Sequence, residues 1–254
     1  MNTSNVLPIQ ESTSELLELF SIPLFKFRSP HCEILNKELK ELILSLEKQD
    51  SGVQITNIGG WHSQKDLLSE EHDCVSVLRS HILTAVVSMT EQVLGIHGLE
   101  NLGQCHVEAW ANINRYGDYN RFHDHKGSIW SGVYYVDIGK DHSEQLSGGE
   151  LIFEPQGYVK TKENGEGCRY VVEPESGLMV IFPSSFWHKV MPYHGSSSRI
   201  SIAFNLKFSN LEMLEHEHPD TRGWLRKHFP GLFIPIDYCR KKIKSFIKSL
   251  LSHV

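Results

Sequence analysis

Arg199-Ile200-Ser201-Ile202-Ala203-Phe204-Asn205-Leu206 alternates strictly between two kinds of position. In an extended chain every second side chain shares a face. Arg199, Ser201, Ala203 and Asn205 therefore face one way, and Ile200, Ile202, Phe204 and Leu206 face the other. Working outward from this stretch, short β-type runs cut by Gly, Pro, Asn and Asp continue back to about Cys105. The runs are 105–116, 129–137, 150–154, 169–173, 178–182, 186–192 and 199–207. Many short strands separated by turn signals predict an all-β sandwich or barrel.

The flanks read differently. Residues 1–25 form an irregular lead-in, with an edge strand expected around Ile22–Phe27. From Cys32 to Lys48, the residues Leu35, Leu39, Leu42, Ile43 and Leu46 recur at helical spacing. A second helix is expected from about Glu70 to Leu94, with Val75, Leu78, Ile82, Val86, Val87 and Val93 as its apolar positions. Between them, Gly52 to Ser63 holds Gly59-Gly60-Trp61 and reads as loop or strand. The fold class is mainly β with flanking α: an antiparallel double sheet with N-terminal helices packed on one face. One structural domain has three parts: a helical lead-in over 1–104, a β core over 105–208 and a C-terminal helical extension over 209–254.

In that extension, Ile243, Phe246, Ile247, Leu250 and Leu251 follow an amphipathic helical pattern beside Arg240, Lys241, Lys242, Lys244 and Lys248. Packing on the body or on a second subunit, which would make a homodimer, is the plainer reading. An interfacial membrane helix is the sharper one.

Bulk properties exclude several classes. The 254 residues carry a net charge of −6, which argues against nucleic acid as a partner because phosphate binding needs a basic face. No apolar run approaches the length of a membrane span. The start, MNTSNVLPIQEST, has neither the charged beginning nor the apolar centre of a signal peptide. Five scattered cysteines with no CxxC pair favour a reduced, cytoplasmic setting. Fifteen histidines direct attention to their placement.

His123-Asp124-His125 ends the run that begins at Asn112. In an extended segment His123 and His125 aim at one point, while Asp124 points away. His188 follows Phe182-Pro183-Ser184-Ser185-Phe186-Trp187 at the start of a later β-run and can supply a third ligand. A metal that must keep positions open for a cosubstrate and for dioxygen holds three protein ligands on one side. Imidazole suits iron, zinc, copper and nickel alike, so ligand type alone does not select the metal. A His-x-His pair by itself is more often a surface feature than a site. Arg199 adds weight, because no acidic residue alternates with it, and a buried guanidinium needs a carboxylate partner. A ligand carboxylate, gripped bidentately, would serve.

The ordered set of motifs resembles the iron(II)/2-oxoglutarate-dependent oxygenase superfamily, in a prolyl-hydroxylase-like branch with HxH in place of HxD. Tyr116-Gly117-Asp118-Tyr119 precedes the histidine pair, and Ser131-Gly132-Val133-Tyr134-Tyr135-Val136 follows it. Then come Gly148-Gly149-Glu150-Leu151-Ile152-Phe153, the run Gly177–Pro183 leading into His188, and Arg199-Ile200-Ser201. The resemblance covers roughly residues 105–208. It implies a double-stranded β-helix (jelly-roll) core with Fe(II) at one mouth, held by His123, His125 and His188. It implies 2-oxoglutarate held through its far carboxylate by Arg199 and Ser201, with Tyr116, Asn114 and Asn205 as further candidates for that pocket. The reaction implied consumes 2-oxoglutarate and dioxygen, oxidises an organic substrate and releases succinate and CO2. His125 makes the site one unit more positive than the family's carboxylate does. Because it fills the position that halogenase-like relatives leave open, hydroxylation is expected. Trp110, Trp130, Tyr134 and Tyr135 either line the mouth or pack as ordinary core. Substrate selection is expected in 52–70, 139–148 and 155–168. The competing readings are a three-histidine dioxygenase that needs no 2-oxoglutarate, a zinc site, and a non-catalytic jelly-roll.

Overall fold

The computed structural model describes residues 22–30, 32–94, 105–139, 148–154 and 169–208. The expected C-terminal helix, most of the lead-in and most of the segments 139–148 and 155–168 lie outside these described residues.

The chain opens with strand β1 (Phe25–Arg28) and helix α1 (Cys32–Gln49). Two short strands follow, β2 (Asn57–Ile58) and β3 (Trp61–His62), then a 3-10 turn at Leu67–Ser69 and helix α2 (Asp73–Leu94). Eight more strands complete it: β4 (Cys105–Asn114), β5 (Tyr119–His123), β6 (Trp130–Asp137), β7 (Leu151–Phe153), β8 (Tyr170–Val172), β9 (Leu178–Pro183), β10 (His188–Val190) and β11 (Arg199–Phe208). They form two antiparallel sheets, ordered β1-β9-β6-β11-β4-β3 and β2-β5-β10-β7-β8. Consecutive strands from β5 onward alternate largely between the sheets, as a jelly-roll requires.

Strand β11 lies at the centre of the larger sheet, paired to β4 and to β6. Its two faces divide as the alternation dictates. Ile200, Ile202, Phe204 and Leu206 pack with Leu35, Leu39 and Ile43 of α1 and with Val75, Leu78, Ile82 and Val86 of α2. Each fully buried aliphatic side chain contributes roughly 1.5–3 kcal/mol. Both helices therefore cover the outer face of the larger sheet, leaving its inner face to the cavity. Gly132 stands opposite Phe204 in the ladder, and any Cβ there would collide with the Phe204 ring. The smaller sheet has only a modest apolar cluster beneath it, built from Tyr135, Leu151, Phe153, Val172, Leu178, Val180 and Phe182.

Two boundaries and one helix position differ from the sequence-based expectation. Helix α2 begins at Asp73 and not near Glu70, because Glu70 is extended (φ −61°, ψ 129°) and closes the preceding turn. The His72 carbonyl then accepts the first helical bonds, from Val75 and Ser76. Strand β10 starts at His188 and not at Phe186, since Phe186 N–H closes a turn onto the Pro183 carbonyl. Val93 is 41% exposed and lies off the packed stripe of α2.

Candidate functional site

His123 is the last residue of β5 and His188 the first of β10, and the two stand directly opposite each other in the ladder. Sheet pairing alone sets their separation. His125 arrives by another route. It lies beyond the end of β5, in a loop pinned where its N–H donates to the Ser184 carbonyl (2.8 Å). The expectation that one extended strand carries both histidines is therefore corrected, although the convergence holds. Ligand nitrogens of His123, His125 and His188 lie within 4.8 Å of one another. Asp124 is not part of this group, and its carboxylate lies 3.8 Å from Lys126 Nζ.

Two of the rings are oriented by their own backbone. His123 Nδ1 is 2.6 Å from the Arg121 carbonyl, and His188 Nδ1 is 2.8 Å from the Phe186 carbonyl. A carbonyl only accepts, so each Nδ1 is the protonated nitrogen, and Nε2 keeps its lone pair for a metal. Burial pushes His125 down to about 2 and His188 down to about 3, reinforced in each by neighbouring histidines. His123 shifts the same way, also through burial. The imidazoles are thus neutral at neutral pH, which is the form that binds metals.

Across the cavity sits Arg199, 2% exposed. Its Nη1 donates to Asn114 Oδ1 (3.2 Å) and Ser201 Oγ (3.4 Å), and its guanidinium stacks over the Tyr135 ring at 5.3 Å. Among the described residues no carboxylate pairs with it, and Arg199 Nε and the Tyr135 hydroxyl have no hydrogen-bond partner. Burial pulls the arginine pKa down and pushes Tyr135 up to about 12, with the two groups partly offsetting each other. A cation so buried, with an unused N–H, has room for an anionic partner. Arg199, Ser201, Tyr135 and the three histidines line the same cavity of about 360 Å³.

Other expected residues fall into distinct places. Asn205 lines the cavity, with its side-chain carbonyl accepting a hydrogen bond from Ser131 (2.7 Å). Asn114 is buried and holds Arg199 from the side. Tyr116 is not brought in: it is 72% exposed and packs on His194 at 5.3 Å. Strand β4 ends at Asn114, and Arg115–Asp118 turn back on themselves, so the alternation assumed for Tyr116 is broken. Of the aromatic candidates, Trp110 and Tyr135 line the cavity, whereas Trp130 and Tyr134 belong to the core beneath the helices. Residues without a sequence signal complete the wall. His62 is buried and stacks on Trp110 (5.5 Å, 11° between planes), and Lys65 lies over the same ring at 5.2 Å. Their place follows from β3 pairing with β4, where His62 stands opposite Asn112.

The comparisons agree with this geometry. Residues 108–205 match the 2OG-Fe(II) oxygenase family model. A Pseudomonas putida prolyl-4-hydroxylase shares the fold with a TM-score of 0.52 and 16% identity, over 72% of this chain and 91% of that one. A prolyl hydroxylase from Trichoplax adhaerens, solved with a hypoxia inducible factor peptide fragment, gives 0.53 and 15%, over 77% and 87%. HygX from Streptomyces hygroscopicus, with nickel, 2-oxoglutarate and hygromycin B bound, gives 0.51 and 10%, over 73% and 83%. No curated protein sequence matches the chain. The chain thus matches the 2OG-Fe(II) oxygenase family model over residues 108–205 and has a prolyl-hydroxylase-like fold.

Proposed function

We propose that His123, His125 and His188 hold Fe(II) through their free ring nitrogens, that Arg199 and Ser201 anchor the far carboxylate of 2-oxoglutarate, and that the enzyme hydroxylates a small organic substrate. The observation that carries this reading is Arg199: a fully buried guanidinium that has no acidic partner among the described residues and opens on the cavity that the three histidines share. The fit is favourable on both counts. The histidine cluster offers three neutral donors on one side, and Arg199 Nε and Tyr135 Oη offer unused hydrogen-bonding groups to a carboxylate. Iron, when bound, supplies the redox chemistry that couples oxidative decarboxylation of 2-oxoglutarate to oxidation of the substrate.

The protein's own part is positional. Asn114 and the Tyr135 ring fix the arginine before the cosubstrate arrives. The carbonyls of Arg121 and Phe186 fix two imidazole rings. Trp110, stacked on His62, presents a flat wall against which substrate can rest. Arg199 disfavours a three-histidine dioxygenase that needs no 2-oxoglutarate. The free thiols of Cys32 and Cys74 accord with a reducing, cytoplasmic setting. No helix among the described residues is long and apolar enough to cross a membrane.

Anaerobic protein given Fe(II) and 2-oxoglutarate should develop a weak visible charge-transfer band that needs both components. In air, 2-oxoglutarate should be converted to succinate. Absence of both the band and succinate would rule the proposal out, and zinc in place of iron in carefully purified protein would turn it toward hydrolysis.

Gly149 gives a finer test. Its φ is +79°, and an added Cβ would lie 2.9 Å from Arg199 Cδ and Nε. Gly149→Ala is expected to cost about 1–2 kcal/mol of stability from the left-handed backbone. It should also shift Arg199 and weaken 2-oxoglutarate binding. Denaturant melts read the first effect and 2-oxoglutarate titration the second. An unchanged affinity would show that Arg199 is not the anchor.

A further inference from the structure

A second cluster of metal-binding side chains lies on the far face of the larger sheet, where α1 meets α2. Glu38 of α1, His72 and Cys74 place one ligand atom each within 4.8 Å of one another. We infer that Glu38, His72 and Cys74 form a second metal site, distinct from the three histidines, that takes a borderline-soft divalent cation, zinc, and ties α1 to α2.

The geometry is built by two helices and a cap. Cys74 is fully buried in the second position of α2, with Sγ 3.0 Å from His72 Nδ1. The same Nδ1 faces the Cys74 N–H at 3.3 Å, so the ring is turned inward over the helix start although His72 itself is exposed. Glu38 reaches the group from the neighbouring helix, half-buried. Thiolate, imidazole and carboxylate are the three ligand types that zinc accepts. The local charge suits a cation: Asp73 and Glu41 add negative field at Glu38, whose own carboxyl is raised chiefly by burial. The sequence there reads Ser69-Glu70-Glu71-His72-Asp73-Cys74.

Binding exchanges one bond for another. The Cys74 S–H bond breaks and its proton passes to solvent; the thiolate sulfur then binds the metal, and the His72 Nδ1 lone pair, which faces the Cys74 S–H and N–H, turns to the metal as well. Three protein ligands leave a fourth position facing water on the His72 side, so the metal is exchangeable. Its effect on the fold is to add a coordinate link between two helices that meet through side-chain packing.

Cobalt(II) distinguishes the two sites, because only this one contains sulfur. Metal-free protein titrated anaerobically with Co(II) should bind two equivalents, one of which brings a thiolate-to-cobalt charge-transfer band. Cys74→Ser should remove the band and keep the other equivalent. His188→Ala should do the reverse. His72→Ala, an exposed change that spares the core, should weaken the band-forming step by more than the roughly 10- to 100-fold that loss of a supporting hydrogen bond costs a metal site. Zinc should displace the band, and should raise the melting temperature of His188→Ala protein but not of His188→Ala/Cys74→Ser. Absence of the band, its survival in both Cys74→Ser and His72→Ala, or failure of zinc to displace it overturns the inference.

Discussion

Arg199→Met is expected to weaken 2-oxoglutarate binding by on the order of 10²–10³-fold while leaving iron binding close to its original level. Truncating one member of a buried charged pair typically costs 2–5 kcal/mol, and here the other member is the ligand. The structure sharpens the expectation, because the hydrogen-bond partners of Arg199 among the described residues, Asn114 and Ser201, are neutral. No protein carboxylate among the described residues is left unpaired by the change. The folded protein should therefore tolerate it, and removal of a buried unpaired cation can even stabilise it. The visible band of the anaerobic iron complex, titrated with 2-oxoglutarate, measures the loss. Equal falls in metal and 2-oxoglutarate affinity would remove Arg199 from its assigned role.

His188→Ala should abolish iron retention and succinate release together. His188 is 4% exposed, stands in the ladder opposite both His123 and Phe153, and is held through Nδ1. Among the described residues no neighbouring side chain is placed to replace it, since the metal-competent group there consists of the three histidines. Losing a supporting partner already costs a metal site roughly 10- to 100-fold, and losing a ligand should exceed that. His125→Ala should have the smaller effect, because His125 sits on a loop anchored at one backbone bond and not within the ladder. Iron content after reconstitution, with circular dichroism as the check on folding, tests both. A His188→Ala protein that holds one equivalent of iron and releases succinate at the original rate contradicts the assignment.

What the sequence made legible follows its periodicity. Strand β11 and helix α1 were readable because each buries one face against a continuous core, and such a face leaves a period of two or of about 3.6. Strand β5 left no such trace. Tyr119-Asn120-Arg121-Phe122-His123 is half-buried or exposed throughout, so no apolar alternation marks it. Strands β2 and β3, of two residues each, are too short to carry a pattern. The metal-competent histidines could be found from residue type and order, but the reason for their convergence could not. It rests on the pairing of His123 with His188 and on the Ser184 carbonyl, both set by tertiary structure. Nor could the sequence say which of Trp130, Tyr134 and Tyr135 face the cavity, since that depends on which face of the larger sheet the helices cover. His62 and Lys65 were invisible for the same reason, since only the β3–β4 pairing brings them to the wall.

The two sheets are unequally supported. Two helices back the larger one, while the smaller rests on a modest apolar cluster. The three histidines hang on the smaller sheet and on the loop beside it. An ion gripping them bridges β5, its following loop and β10, and stabilises the closed sheet in proportion to how tightly it binds. Without that bridge, the smaller sheet, with the smaller apolar cluster, is expected to open before the larger one. If the three histidines hold iron as proposed, iron supply governs more than turnover rate. In an iron-starved cell the chain would spend more time with an accessible backbone, and proteases would shorten its lifetime.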